Sequence, residues 1–175
     1  MSNAHNPCEK IAIVNKNDNI IAIEPRGNHA NGKLHRESSV LIINLNNKIL
    51  IQKRANSERL DYSASGHFSF FETYLEGALR EVEEELGLNI PKSKFIKIKK
   101  FRINYSGEYI NNRFITLYEV KGEYRIKDMK IDHSEVKSVK YYSISKLKKL
   151  IKFKPEIFSQ GFIESIRIYF NKKGI

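Results

Sequence analysis

The sequence predicts one α/β domain, a mixed sheet covered by helices. Three observations point there: β-rich segments on both sides of a central amphipathic helix, two further helical segments at the end of the chain, and a length of 175 residues, which suits one core. Ile11–Val14 and Ile20–Ile23 are short apolar runs joined by Asn15–Asn19, a hairpin signal. Val40–Leu45 and Lys48–Gln52, separated by Asn46-Asn47, read as a second hairpin, with a polar loop over Pro25–Gly32 between the two. Residues 74–86 are the clearest helix. Thr73 suits the N-cap, Glu76 completes a capping box, Gly87 suits the left-handed C′ position, and Leu75, Ala78, Leu79, Val82 and Leu86 form one apolar stripe. Strands follow near Phe95–Tyr105, Arg113–Val120 and Val136–Tyr142. Helices follow over roughly 144–152, capped by Ser143, and roughly 157–171, between Pro155 and Gly174.

Composition narrows the function classes. Hydrophobic residues make up 41% and charged residues 29%, the balance of a soluble globular chain rather than a disordered one. No apolar run approaches the roughly 20 residues that cross a bilayer, and the first residues carry no secretory signal. One cysteine, Cys8, excludes an internal disulfide and fits a reducing compartment, so the expected location is cytoplasmic. The net charge is +11 and uneven: residues 1–88 hold 10 Lys+Arg against 12 Asp+Glu, residues 89–175 hold 21 against 8. The basic half reads first as a solvated lysine face and second as an attractor of anionic substrate. Aromatic and basic residues do not interleave as in RNA-binding modules, so nucleic acid is not an expected partner.

The chemistry concentrates in one helix. Glu81, Glu84 and Glu85 stand at i, i+3 and i+4 and crowd one side, flanking the apolar stripe. Like charges at that spacing repel by a few tenths of a kcal/mol per pair, which selection for stability alone does not favour. A hard divalent cation removes the conflict, because carboxylate oxygens are what Mg²⁺ coordinates. Held between carboxylates and a diphosphate, such an ion neutralises the leaving group and positions an attacking water. Arg80 is placed to orient a glutamate or to contact phosphate. The bland alternative is an exposed acidic helix, since Glu is a good helix former.

The stretch Gly66–Leu88 resembles the Nudix box, G-x5-E-x7-R-E-U-x-E-E-x-G-U with U apolar. Gly66, Glu72, Arg80, Glu81, Val82, Glu84, Glu85, Gly87 and Leu88 fill every defined position. The resemblance implies an α/β/α sandwich with a mixed sheet, spanning residues 1–175 as one domain, with the box as a loop–helix–loop. It implies Mg²⁺-dependent hydrolysis of a nucleoside diphosphate linked to another group, or of a similar diphosphate, with Mn²⁺ as a substitute ion. Glu81, Glu84 and Glu85 would be metal ligands, supported by the Gly66 carbonyl and Glu72, with Arg80 holding the glutamates. The general base varies within the family, and Glu81 and Glu135 compete for that role. The implied partner is a small-molecule diphosphate, with the chain a monomer or homodimer. Two positions depart from the usual pattern. Phe71 stands where glycine is usual, at odds with a turn needing positive φ, and Gly77 stands where alanine is usual, at a cost of roughly 1 kcal/mol in helix stability.

Outer motifs place the chain within the family. Leu34-His35-Arg36, Gln52-Lys53-Arg54 and Ser65-Gly66-His67 resemble the branch similar to type 1 isopentenyl-diphosphate isomerase. Asn112-Arg113-Phe114, Glu135-Val136 and Phe158–Phe162 resemble hydrolase-like members of that branch. Isomerases of this type need a cysteine where Ser65 stands and glutamates in the strand that reads Tyr109–Arg113, which has none. A non-catalytic nucleotide-binding module remains the other alternative, although it has no need of the repulsive glutamates. His29, His35 and His67 fall where the isomerases cluster metal-binding histidines, while a loop histidine is more often a structural hydrogen-bonder.

Overall fold

The computed structural model of the chain describes residues 9–28, 32–106 and 110–175. β1 (Lys10–Val14) and β2 (Ile20–Pro25) pair antiparallel as a separate hairpin. The Asn15 side-chain oxygen accepts from the backbone N–H of Asn17 and Asn19, and Asp18 takes a left-handed conformation (φ 64°), so side-chain bonds define the turn.

The main sheet contains β3 (His35–Ile43), β4 (Lys48–Arg54), β5 (Leu60–Asp61), β6 (Ala64–His67), β7 (Phe95–Ser106), β8 (Ile110–Lys121) and β9 (Val136–Ser143). Its order is β5-β4-β3-β8-β7, with β6 on β3 and β9 on β4. β3 and β8 run parallel and the other pairings are antiparallel, so the sheet is mixed. β3 pairs with β4 only at Ile43↔Ile49 and with β6 over Glu37–Val40. That split lets β6 carry Ser65, Gly66 and His67 against the helix over Tyr74–Leu86.

Alternation along β3 sorts the core into two layers. Val40 and Ile42 pack with Leu50, Ala78, Val82 and Leu86 beneath α1 (Tyr74–Leu86). Leu41 and Ile43 pack with Ile49, Ile51, Leu117, Leu147, Phe162 and Ile166 beneath α2 (Ile144–Phe153) and α3 (Gln160–Lys173). Helices on both faces of a mixed sheet make the expected α/β/α sandwich. Because strands buried on both faces need apolar residues at every position, Val40–Ile43 reads as an unbroken apolar run.

The caps explain the helix boundaries. At α1, the Thr73 side chain accepts from the Glu76 N–H and the Glu76 carboxylate accepts in return, while Gly87 ends the helix at φ 63°. Ser143 caps α2. α3 starts later than its sequence pattern suggests: Pro155–Ile157 form a 3₁₀ turn, Phe158 is buried, and Ser159 makes the cap. The polar loop after β2 opens with a 3₁₀ turn at Arg26–Asn28. No helix among the described residues is long and apolar enough to cross a membrane.

Candidate active site

α1 turns two of its glutamates inward. Its buried residues are Gly77, Ala78, Glu81, Val82, Glu85 and Leu86, whereas Leu75 and Leu79 are only half-buried. The buried face is therefore rotated from the purely apolar stripe, and it takes Glu81 (5% exposed) and Glu85 (2%) with it. Burial disfavours a charged carboxylate. It pushes the Glu81 carboxyl up to about 8, with Arg80 pulling against and Glu84 adding to the rise. The Glu85 carboxyl is held well above its ordinary value by burial and by the charges of Glu81 and Glu135. The Ser65 N–H donates to Glu85 at 3.0 Å, and the Arg54 charge also favours its ionised form.

Arg80 is the hub. Its Nε donates to Glu72 at 3.1 Å, one Nη to Glu84 at 2.6 Å with Glu81 at 3.1 Å, and the other Nη to the His67 carbonyl oxygen at 2.9 Å. Burial works against its charge, but Glu81, Glu72 and Glu84 outweigh that and hold its pKa above the ordinary value. Glu72 also accepts from the Ser69 N–H at 2.7 Å, which fixes the loop before α1. Gly66 has a steric reason to be glycine. A Cβ there would stand 2.4 Å from the Glu81 carboxylate, so the carboxylate lies flat on the Gly66 backbone.

The two departures from the usual box also resolve. Non-glycine residues with positive φ among the described residues are Asp18, Asn47 and Glu58, so Phe71 keeps ordinary backbone and points outward, 75% exposed. At Gly77 a Cβ would meet the buried Phe68 ring at 2.7 Å, so glycine makes room for that ring against the helix.

Beside this cluster lies a cavity of about 460 Å³. Ser65, Gly66 and His67 of β6 line it, with Glu135 from the loop before β9, Arg54 and Asp61 from β4 and β5, and Asn111 and Arg113 from β8. Arg54 pairs with Asp61 at 3.2 Å and Arg113 with Glu37 at 2.7 Å. Sequence reasoning did not single out Glu37, Asp61 or Asn111 as site residues. The available signal was polar: Glu37, Ser38 and Ser39 are buried at the start of an otherwise apolar strand.

His35 and His67 come together, Nε2 to Nε2 at 2.9 Å, and His35 Nδ1 lies 2.8 Å from the Lys33 carbonyl oxygen. With Nδ1 donating to that oxygen, His35 Nε2 accepts from His67. His29 lies outside the described residues. Among the described residues no three His, Cys, Asp or Glu side chains are already grouped to hold a metal ion. Arg80 sits among the carboxylates instead, and Glu84 is turned to it. The donor chemistry nevertheless fits a hard cation: oxygen ligands in a negative surplus, two of them desolvated.

Comparisons with known proteins bear on the family and the fold. The family model "NUDIX domain" matches residues 33–161. Nudix hydrolase 3 of Arabidopsis thaliana is 35% identical over 130 residues, 67% of this chain but only 17% of that protein's length. The prenyl-diphosphate phosphatase of Methanosarcina mazei is 26% identical over 163 residues, covering 89% of this chain and 92% of that one. An isopentenyl-diphosphate Delta-isomerase of Pectobacterium atrosepticum is 26% identical, covering 89% and 88%. Among solved structures, DR0079 from Deinococcus radiodurans superposes with a TM-score of 0.74 at 20% identity, covering 91% of this chain and 97% of that one. These relatives fit the isomerase-like branch, although Ser65 stands where its isomerases need a cysteine and the stretch Tyr109–Arg113 holds no glutamate. The chain belongs to the NUDIX domain family, the class of diphosphate hydrolases to which its glutamate helix points.

Proposed function

We propose that the chain hydrolyses the diphosphate linkage of a nucleoside diphosphate joined to another group, or of a similar diphosphate, with Mg²⁺ as cofactor and Mn²⁺ as substitute. One observation carries this: Glu81 and Glu85 are buried carboxylates beside a cavity of about 460 Å³, in a cluster whose negative charge exceeds what Arg80 offsets. Glu81, Glu84 and Glu85, with the Gly66 carbonyl and Glu72 in support, would hold the ion. When bound, the divalent cation supplies charge neutralisation at the diphosphate and activation of the attacking water.

The protein's own groups do the rest. Arg80 keeps Glu72, Glu81 and Glu84 in one constellation and ties it to the His67 backbone. Glu135 lines the cavity and can take a proton there, in competition with Glu81 for the role of general base. Arg54 and Arg113 present guanidiniums to phosphate oxygens, the pairing for which their planar fork is suited. The reading includes a small-molecule substrate, a cytoplasmic location, one domain over residues 1–175, and a monomer or homodimer.

The test is a turnover screen of diphosphate compounds with Mg²⁺ and Mn²⁺, scored by released phosphate. At least one compound should be cleaved, and Glu84→Gln should slow it by two or more orders of magnitude while the protein stays folded. Glu84→Gln matching the wild-type rate would show the mechanism to be wrong.

A further inference from the structure

The cavity wall has one feature that the diphosphate chemistry leaves unused. Asn111, at the start of β8, is 8% exposed and lines the cavity, and among the described residues its side-chain oxygen has no hydrogen-bond partner. Buried amide groups are nearly always bonded, so an unpaired one facing a cavity is completed by what enters the cavity. Its strand neighbour Asn112 points to the opposite side and donates to the Gly32 carbonyl oxygen at 2.8 Å. Arg113, two residues on from Asn111, shares its face and also lines the cavity.

The rest of the wall has matching chemistry. Among the described residues that line the cavity, none has an aliphatic side chain. Tyr62, whose ring is also in the wall, is buried, with its hydroxyl 2.5 Å from Ser165 Oγ. Arg59 reaches the cavity from the surface and makes no ion pair among the described residues. An alkyl chain in this space would strip water from guanidinium and carboxylate groups and return no bond to them. A hydroxyl-rich group would replace that water.

We propose that Asn111 is a specificity-determining residue, and that the group beyond the scissile diphosphate is hydrophilic and hydroxyl-bearing, as in a sugar or nucleoside, rather than an apolar prenyl chain. This rests on the diphosphate lying at α1, as proposed above. Sites built to bond a substrate hydroxyl reject analogues that lack it, because the buried partner is then left unpaired.

Binding and turnover separate the two claims. With Ca²⁺ as the divalent ion, calorimetry on the full chain should show ADP-ribose binding at least tenfold more tightly than geranyl diphosphate. Asn111→Leu should weaken ADP-ribose about tenfold and leave geranyl diphosphate unchanged or tighter. Asn111→Asp keeps an acceptor oxygen in the same place; at an unchanged melting temperature it should retain more ADP-ribose affinity than Asn111→Leu does. If geranyl diphosphate binds as tightly as ADP-ribose, the proposal is overturned. Equal affinity of ADP-ribose for wild type and Asn111→Leu overturns it too. Preferential ADP-ribose binding without turnover of any diphosphate in Mg²⁺ would keep this proposal and remove the hydrolytic reading.

Discussion

Two carboxylate clusters in this molecule have opposite charge balances. Around Asp18 one carboxylate meets several donors: Arg36 Nε at 2.7 Å, Tyr74 Oη at 3.0 Å and the Lys100 ammonium. Burial alone would raise the Asp18 carboxyl, but the bonds from Lys100 and Arg36 outweigh it and hold it below the ordinary value. Around Arg80 one guanidinium serves Glu72, Glu81 and Glu84, with Glu85 buried close by, and the Glu81 and Glu85 carboxyls are pushed upward. Both clusters are buried in part, so burial does not distinguish them. Compensation does. The Asp18 cluster is complete and clamps the β1–β2 hairpin to β3, β7 and α1. The Arg80 cluster lacks positive charge, which is the condition for taking up a cation.

That contrast can be broken at either end. The largest effect is expected from Arg80→Ala, which frees the glutamates to spread apart. Turnover should fall by a hundredfold or more, since about 1 Å of misplacement in a catalytic constellation costs about that much; steady-state kinetics on a cleaved diphosphate measures it. Asp18→Asn should do the reverse. Asparagine tolerates the left-handed backbone at φ 64°, so the substitution isolates the charge. Chemical denaturation should show a loss of about 1–3 kcal/mol, with turnover within twofold of wild type.

The same variant gives a pH signature. A carboxylate held below its unfolded value contributes stability above that unfolded value, and loses it as pH falls through the folded one. The stability gap between wild type and Asp18→Asn should therefore be constant from pH 7 to 5 and shrink below the ordinary Asp value of 3.8. A gap that widens on acidification would contradict the assignment. The smallest effect is at Gly77. Alanine gains up to about 1 kcal/mol of helix propensity, but its Cβ would meet the Phe68 ring at 2.7 Å. Gly77→Ala should destabilise by about 1 kcal/mol net, read from the thermal midpoint.

Local signals were the legible ones. Thr73, Glu76 and Gly87 bound α1 because caps act over one turn, and the β1–β2 hairpin follows from its apolar runs and Asn-rich turn, whereas the expected second hairpin pairs only at Ile43↔Ile49 because β6 takes the neighbouring part of β3. β5 and β6 are two and four residues long, too short for alternation to show, and only their pairing with β4 and β3 makes them strands. The start of α3 was displaced because Phe158 belongs to the core, where its apolar character imitates the helix pattern. The inward turn of Glu81 and Glu85 was also hidden, since a stripe drawn through apolar residues alone leaves carboxylates at its margin. Asn111, Arg113 and Arg54 meet at the cavity from two strands far apart in sequence. No window along the chain contains them together.

Titration of Mg²⁺ into the apo protein by calorimetry tests the central claim most directly, with Glu84→Gln and Asp18→Asn in parallel. The account predicts saturable uptake by wild type, unchanged in Asp18→Asn and at least tenfold weaker in Glu84→Gln. Absence of uptake by wild type, or equal affinity in Glu84→Gln, would contradict it.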